Sequence, residues 1–536
     1  MKSNCKFFIA GLLSFVFTAT VGQVTLDSSS LPIIIINTNG QQIQDDPRIT
    51  VFMGIIDNGP VNINHINDPF NNYEGNVTIE IRGSTSQMYP KKSYAFTPVD
   101  SSGNKINASL LGLPDENDWI LYAPYSDKTL MRNTLAYHLF NRMGHYATRT
   151  RFAELVLNGN YKGVYELEEK IKRNANRVDI AHLTTSDTTG DQLTGGYIIK
   201  IDKTTASGNE TWFSAFDSEV FFQYHDPDET ELLPLQKNYV QNYVNLFETT
   251  LMSPQFADPD SGFRLYTDEN SFIDFMLMEE LGHTVDGYRS SCFMFKDKDS
   301  KGGKLTMGPL WDFNVSFGNA NYCNAWSAIG WQYQFNNYCS GFYPHVPFWW
   351  SRMLEDPVFA DNVKCRWNFL RQNFLCTDSI NHWIDSVAAV LNEPQQRNFI
   401  QWPILGQYVD WNYYIGQTYA DEIGYMKQWI HDRSFWIDDN LSGTCIPTAI
   451  LENSGDENDL LIAPNPFSSS TTIQLLGRNY HNEKQVILFN CFGEPVMQYS
   501  FTGKTTLLER QKLLPGIYFI RISDREKILS GKLIAL

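Results

Sequence analysis

The sequence lacks several features that would each indicate a particular class of protein. It has no Cys-x-x-Cys pair and no histidine cluster, so it predicts no zinc site. It has no excess of basic residues, since the net charge is −18, which argues against general nucleic-acid binding. After the first 22 residues, no apolar run is long enough to span a bilayer. We therefore expect no nucleic-acid partner and no transmembrane segment in the mature chain.

The composition is that of a large globular protein. The chain has 536 residues, of which 42% are hydrophobic and 19% charged, so it can form more than one domain with a substantial core. Aromatic residues are frequent, at 14%, and Trp349, Trp350, Trp402 and Trp411 crowd one region. These tryptophans fit core packing or, alternatively, a surface that stacks sugars or peptides.

Residues 1–22 have the pattern of an export signal. Lys2 and Lys6 precede an apolar run from Phe7 to Ala19, and small residues follow near Gly22. The run is too short for a stable membrane anchor, so we expect cleavage and an exported mature chain of residues 23–536.

The cysteines should pair in part, because exported proteins meet oxidising conditions. Seven cysteines follow the signal segment, and the odd number leaves at least one free thiol. Proximity in sequence favours two pairs, Cys323 with Cys339 or Cys365 with Cys376.

Hydrophobic periodicity divides the rest of the chain. Short β-branched strands alternate with turns up to about Ile201, with a single helix predicted from Ser126 or Asp127 to Met143. Helical spacing dominates from Pro234 to about residue 440. A polar, acidic linker is predicted at 441–460, and 461–536 has the short strands of a small all-β sandwich.

Two acids flank a predicted hairpin within the stretch from His283 to Asn319. Asp286 follows a helical run, and Asp312 follows the second strand of the hairpin, inside Trp-Asp-Phe-Asn. The hairpin brings the two carboxylates close together. Phosphoryl transfer needs one carboxylate near the attacking hydroxyl and another on the metal, and protein kinases carry these acids in the same order. Turn and cap residues would give the same pattern.

Several motifs, in order along residues 30–440, resemble the CotH (spore coat protein H) kinase family. They are Ile81-Arg82-Gly83-Ser84-Thr85-Ser86, Pro90-Lys91-Lys92-Ser93-Tyr94, Asp118-Trp119-Ile120-Leu121, Asp127-Lys128 with Met131-Arg132-Asn133, Leu157 to Tyr165, Glu169-Lys170-Ile171-Lys172, Gly195-Gly196-Tyr197, Asp286-Gly287-Tyr288 and Trp311-Asp312-Phe313-Asn314. Pro464-Asn465-Pro466-Phe467, Phe492-Gly493 and Leu514 to Tyr518 are similar to a type IX secretion C-terminal sorting domain. The second resemblance implies a Bacteroidetes-type bacterium, the type IX secretion machinery as a partner, and passage through the periplasm and outer membrane to the surface or medium.

The first resemblance implies an α+β chain with an atypical, two-lobed protein-kinase-like fold over 23–440. It implies an ATP-dependent kinase that uses Mg²⁺ or Mn²⁺ to phosphorylate serine, or another hydroxyl, of a protein substrate. Residue by residue, it implies that Asp286 is catalytic and that Asp312 binds the metal. It also implies a nucleotide site, whose residues are Arg82, Ser84, Ser86, Lys92 (or, second, Lys91) and Glu169 as the partner of the lysine.

One position departs from the kinase pattern. Kinases hold a second metal with an asparagine five residues after the catalytic aspartate, and that position here is Ser291. Serine is a weak metal ligand, and Asn314 is a candidate for the missing amide. The alternative function is therefore a catalytically inactive kinase fold that serves as a surface binding or adhesion protein. A third hypothesis is a polysaccharide hydrolase with two carboxylates across a groove.

Overall fold

The structure is a computed structural model that describes residues 24–204, 210–445, 460–475, 483–490, 495–510, 513–523 and 528–535. The predicted signal segment, most of the predicted linker, Cys491 and the Phe492-Gly493 motif lie outside the described residues. The chain divides into two compact units between Cys445 and Ile446. Within the described ranges, none of the helices has the length and apolar character that crossing a membrane requires.

The first unit begins with a closed β-barrel. Its neighbouring strands follow the order β2-β3-β5-β6-β7-β9-β8, and a parallel pairing of β8 with β2 closes the ring, with Ile34 opposite Leu155. Alternate side chains fill the interior, among them Ile34, Met53, Phe96 and Leu167. The strands up to the barrel's end are β1 (Ser28–Ser29), β2 (Ile33–Asn37), β3 (Ile49–Ile56), β4 (Asn64–His65), β5 (Tyr73–Arg82), β6 (Ser93–Val99), β7 (Trp119–Tyr122), β8 (Thr150–Leu157) and β9 (Asn160–Glu169).

A second sheet follows the barrel in the chain. Five strands form it in the antiparallel order β11-β12-β10-β13-β14, and β13 and β14 are the hairpin predicted between Asp286 and Asp312. Its strands are β10 (Tyr197–Ile201), β11 (Thr211–Phe213), β12 (Phe221–Asp226), β13 (Cys292–Lys296) and β14 (Leu305–Met307).

Helices pack around this sheet and supply most of the largest hydrophobic core. Helix α3 is buried on nearly every side, from Ser271 to Gly282, and Trp349 and Trp350 lie in the same core. The helices are α1 (Arg132–Arg142), α2 (Pro234–Met252), α3 (Glu269–Gly282), α4 (Phe335–Tyr338), α5 (Trp349–Met353), α6 (Pro357–Gln372), α7 (Thr377–Leu391), α8 (Pro394–Gln401) and α9 (Tyr419–Asn440). Packing therefore accounts for two of the four crowded tryptophans.

Helix α1 begins later than its capping pattern predicts. The Asp127 carboxylate accepts hydrogen bonds from the backbone N–H groups of Thr129 and Arg132, at 3.0 and 2.8 Å, and ties a turn. Leu130 has a positive φ of 60°, which no helix accommodates. The prediction of a start at Ser126 or Asp127 is thus wrong, because Asp127 caps a turn that precedes the helix.

The second unit is an all-β, sandwich-like region. A three-stranded sheet (β15-β16-β19) and a four-stranded sheet (β18-β17-β20-β21) share one core that includes Ile473, Val486 and Ile520. The strands are β15 (Leu460–Ala463), β16 (Ser470–Leu475), β17 (Lys484–Phe489), β18 (Pro495–Phe501), β19 (Thr505–Glu509), β20 (Gly516–Ser523) and β21 (Ile528–Ala535). Together the two units confirm the α+β class.

The structure settles part of the cysteine pairing. Cys323 and Cys339 form the disulfide that proximity favours. The prediction of Cys365 with Cys376 is wrong, because Cys365 is bonded to Cys445, 80 positions away in sequence. Helix α6 packs on the end of α9, where the Lys364 ammonium donates to the Asp438 carbonyl at 2.8 Å, and this contact brings Cys445 to Cys365. Among the described cysteines, Cys292 and Cys376 are free.

Candidate functional site

A cavity with both polar and apolar lining lies between the barrel and the second sheet. Its volume is about 980 Å³, within the range of nucleotide-sized and drug-sized ligand sites. The barrel contributes the ends of β5, β7 and β9. Other parts of the wall come from the loop after β5, from Asn133 of α1, from the second sheet and the chain after β10, and from both flanks of the β13–β14 hairpin. The lining includes Arg82, Ser84, Ser86, Asp286, Ser291, Asp312 and Asn314, seven of the nine residues predicted for the site.

The small-residue loop after β5 forms one edge of the cavity. Gly83 is required there, because its φ is +110° and a Cβ atom would lie 2.1 Å from the Ser86 hydroxyl oxygen. The Gln87 side chain donates to the Gly83 carbonyl at 2.7 Å and closes the loop. The Arg82 guanidinium lies 5.7 Å from the centre of the Trp311 ring, so it is held over the cavity by an aromatic face.

Lys92 and Lys91 lie outside the cavity lining. The Lys92 ammonium donates to the Gln87 carbonyl at 2.5 Å and so supports the loop from behind. Lys91 is buried, donates to the Val164 carbonyl at 2.6 Å, and has its pKa lowered to about 7 by that burial. Lys170, Lys200 and Lys203 line the cavity instead.

Strand β9 directs two neighbouring glutamates to opposite sides, as alternation along a strand requires. Glu169 is buried against Arg149, whose guanidinium nitrogen lies 2.7 Å from its carboxylate, and it is outside the cavity lining. Among the described residues the predicted Lys92–Glu169 pair is therefore not formed. Glu168 is fully buried and lines the cavity, and neither of its oxygens accepts a hydrogen bond of normal geometry from the described part of the chain.

Asp286 is held at the opposite wall by the turn that follows α3. Helix α3 ends at His283, which takes the left-handed conformation, and Asp286 then starts a new turn by accepting the Ser290 N–H at 2.9 Å. Arg289 donates to the Val285 and Pro344 carbonyls at 2.8 and 2.9 Å and reaches an Asp286 oxygen at 3.3 Å. The Asp286 side chain is 29% exposed, which leaves it accessible from the cavity.

Ser291 is tied to a third carboxylate that the sequence analysis did not single out. Its backbone N–H donates to Asp202 at 3.3 Å, and Asp202 also lies 2.7 Å from the Lys200 ammonium. Lys203 follows directly, and its ammonium is 3.3 Å from the Thr85 hydroxyl. Lys203 thus spans the cavity from the second sheet to the small-residue loop.

Asp312 and Trp311 both line the cavity, whereas Phe313 is directed into the core. Trp311 stacks on Tyr137 with ring centres 6.0 Å apart, and Phe313 is buried in the core. The Asp312 N–H donates to the Tyr137 hydroxyl at 3.2 Å, and its φ is +67°. Desolvation and the charge of Asp286 raise the pKa of Asp312 to about 6, against the opposing effect of Lys203 and Arg82.

Burial also raises the pKa of Glu168, to about 8, with Asp312 adding to the increase and Arg82 and the Asn133 side chain opposing it. The cavity therefore combines partly neutralised carboxylates with several cations. Among the described residues no three His, Cys, Asp or Glu side chains converge to hold a metal by themselves. A divalent cation would need oxygens from a ligand in addition, and Mg²⁺ binds in this way with one or two carboxylates and substrate phosphates.

Sequence reasoning missed Glu168, Asp202 and Lys203. Each was visible in principle as a charged residue at the end of a predicted strand, beside a residue that was noted. Alternation predicts that only one of Glu168 and Glu169 faces the cavity, but the sequence does not reveal which face of β9 borders it.

The geometry defines an α+β protein with a cleft in which buried carboxylates face several cations. A comparison with protein families agrees with the sequence motifs: the description "CotH kinase protein" matches residues 79–437. The chain belongs to this family. A second match, "Secretion system C-terminal sorting domain", covers residues 461–535. No curated protein matches the chain.

The sorting domain identifies the destination. It is the second, sandwich-like unit, and it indicates delivery by type IX secretion to the cell surface or the medium. The predicted family, the predicted localisation and the secretion machinery as a partner are thereby confirmed.

Proposed function

We propose that this exported protein is an atypical protein kinase that transfers the γ-phosphoryl group of ATP to a serine, or another hydroxyl, of a protein. The observation that carries the proposal is the convergence of Asp286, Asp312 and Arg82 on one cavity. The barrel on one side and the helices on the other support a two-lobed, kinase-like interpretation of residues 24–445. The family match supports the same reaction class.

Asp286 is the residue that we assign to the hydroxyl. In the transfer, the hydroxyl oxygen forms a bond to the γ-phosphorus, the bond from that phosphorus to the bridging oxygen breaks, and ADP leaves. The hydroxyl proton passes to the Asp286 carboxylate. Arg289 is a positioning residue, because its three donated contacts hold Asp286 in place while it remains accessible.

The residues present fit a nucleotide with its cation. The cationic side chains Arg82 and Lys203 lie at the small-residue loop, where they suit phosphate oxygens, and Ser84 and Ser86 add hydroxyl donors. Ile81, Ile120 and Ile171 give the same cavity an apolar part that suits a base. Asp312 would hold Mg²⁺ or Mn²⁺, and Ser291 and Asn314, which also line the cavity, are candidates for further ligands. The cation would neutralise phosphate charge.

An aromatic rim beside Asp286 suits a polypeptide substrate. Tyr322 stacks on Phe342 with ring centres 5.8 Å apart, and both line the cavity with Tyr343 and Trp411. Phe342 and Tyr343 are 46% and 55% exposed, so this rim offers apolar area to a chain that presents its hydroxyl to Asp286.

Calorimetry with ATP, in the presence of Mg²⁺ or Mn²⁺, tests the proposal on wild type and Asp312→Ala. We expect metal-dependent binding in wild type and none in the variant, followed by labelled phosphate on protein only in wild type and not in Asp286→Asn. An absence of nucleotide binding in a folded wild-type protein would contradict the proposal.

A second candidate function is a binding or adhesion protein that retains the scaffold without catalysis. The specific observation is Ser291, which stands where kinases have the amide for their second metal and whose N–H is taken by Asp202. ATP is also scarce outside the cell. Nucleotide-independent binding to a cell-surface or extracellular protein, unchanged by Asp286→Asn, would favour this function.

A further inference from the structure

Glu168 differs from Asp202 and Asp286, two other carboxylates of the cavity, because no described protein group satisfies it with a hydrogen bond of normal geometry. Its side chain has 0% exposure, yet neither oxygen accepts a hydrogen bond of normal geometry in the described ranges, and the nearby Asn133 side chain only partly offsets the burial. Asp202, by comparison, accepts from Ser291 and pairs with Lys200, and Asp286 has Arg289. A buried carboxylate without donors is costly to keep in a fold, so a ligand that completes it is the simplest reason for its presence.

The surroundings of Glu168 indicate the chemistry of that ligand. Glu168 and Asp312 line the same cavity, and the charge of Asp312 raises the pKa of Glu168 while that of Arg82 lowers it. Arg82 is occupied with the Trp311 face and is absent from the hydrogen-bond partners of Glu168. Two carboxylates that line one cavity suit a hard divalent cation, which takes one or two carboxylates and completes its shell with phosphate and water.

We infer that Glu168 supplies the second carboxylate for the divalent cation that Asp312 holds, in the role that an asparagine has in other kinases. The inference rests on the proposed function for the identity of the accompanying ligand, an ATP-type triphosphate. It explains how a chain with Ser291 at the position of the kinase asparagine still has a second metal ligand. That ligand comes from β9 of the barrel instead of from the loop after Asp286.

Strand β9 also provides a matched control. Glu166 lies two residues before Glu168 on the same face, is equally buried, and has one oxygen bonded to the Thr134 hydroxyl at 2.6 Å. It is outside the cavity lining. Glu166→Gln makes the same substitution near the same place without removing a group from the cavity, and thus separates ligation from a general electrostatic effect.

The experiment measures the affinity of the full exported chain for β,γ-imido-ATP with EDTA and with Mn²⁺, and counts bound Mn²⁺ by the loss of its free electron-paramagnetic-resonance signal. We expect Glu168→Gln to lower Mn²⁺ affinity by at least the roughly 10–100-fold that loss of an outer-shell partner costs. Metal-free nucleotide affinity should stay near the wild-type value, Glu166→Gln should bind Mn²⁺ like wild type, and Glu168→Asp should retain part of the affinity.

Several results would overturn the inference. An unchanged Mn²⁺ affinity in a folded Glu168→Gln protein would do so. An equal loss of Mn²⁺ affinity in the Glu166 and Glu168 variants would also do so, as would a wild-type protein whose nucleotide affinity does not increase with Mn²⁺. Circular dichroism and thermal unfolding establish that each variant is folded. If Glu168→Gln is not folded, the Mn²⁺ affinity of Glu168→Asp is compared with that of wild type instead. Mn²⁺ binding that depends on Glu168 without any nucleotide binding would support the metal site and contradict the proposed kinase function instead.

Discussion

Two buried glutamates of the first unit, Glu280 and Glu168, differ in their hydrogen-bond partners. In the core between α3 and α9, the Arg433 guanidinium donates to the Glu280 carbonyl at 2.7 Å and to the Glu280 carboxylate at 3.0 Å. It also reaches the Ala328 and Gly330 carbonyls. In the cavity, neither Glu168 oxygen accepts a hydrogen bond of normal geometry from the residues that the structure describes. Protein groups therefore satisfy the Glu280–Arg433 pair, whereas Glu168 is left for a ligand to complete.

The presence or absence of hydrogen-bond donors separates structural from functional ionisable groups more clearly than burial does. Glu280 and Glu168 are 1% and 0% exposed, so exposure alone would class them together. Glu280 accepts from the N–H groups of Gln332 and Tyr333 and from the Tyr288 hydroxyl, so its charge has partners whether or not a ligand is bound. A carboxylate of that kind specifies packing, while an unsatisfied one at a cavity indicates a binding site.

The largest expected effect is on the core side of the comparison. Arg433→Met leaves the Glu280 carboxylate buried without its cation, and breaking such a pair costs about 3–5 kcal/mol of unfolding free energy. Denaturant unfolding of the purified protein measures it, with Glu168→Gln as the control that should lose none of this stability. A loss below about 1 kcal/mol would mean that the neutral donors alone satisfy Glu280.

The next effect is on binding and leaves the fold intact. Asp312→Asn removes the carboxylate that we assign to the metal, so metal-dependent nucleotide affinity should fall by about 100-fold, or about 2.7 kcal/mol. The free energy of unfolding should not decrease, because the amide removes a charge that burial and Asp286 disfavour. Calorimetry and denaturant unfolding on the same samples check both parts, and a destabilised variant with normal affinity would reverse the assignment.

A smaller effect distinguishes two cations near the small-residue loop. Arg82 lines the cavity and Lys92 does not, so Arg82→Met should weaken nucleotide binding about tenfold, as expected for a charge-assisted hydrogen bond. Lys92→Met should change the affinity much less, since its ammonium contacts the Gln87 carbonyl behind the loop. A larger loss for Lys92→Met would restore the role that the family resemblance implies for it.

The last expected effect is a dependence of folding stability on pH. The pKa of Glu168 is raised to about 8 in the folded protein, so the native state binds more protons than the unfolded state between the ordinary glutamate pKa and 8. Stability without ligand should therefore fall as pH rises through this window. Glu168→Gln escapes the penalty, and its melting temperature should exceed that of wild type by about 2–4 °C per kcal/mol at pH 9 and match it near pH 4.5. Equal differences at both pH values would contradict this reasoning.

Local patterns were sufficient for much of the fold. Strand β7 coincides with the short apolar run Trp119–Tyr122, and the Asn158-Gly159 turn predicts the β8–β9 hairpin, because turn chemistry is a property of a short segment. The same patterns did not predict that seven strands close into a barrel. Closure depends on the parallel pairing of β2 with β8, more than a hundred residues apart, and pairing at that distance leaves no local signal.

The candidate site divides in the same way. The sequence by itself determined that Asp286 and Asp312 flank a hairpin, because their spacing along the chain is a local property. Its motifs also determined the family, the export route and seven of the residues that line the cavity. Only the tertiary structure decided that Glu168 and not Glu169 faces the cavity, that Lys203 and not Lys92 reaches it, and that Cys365 pairs with Cys445. These choices depend on which faces of distant elements meet, and side-chain direction becomes informative only once the opposing surface is in place.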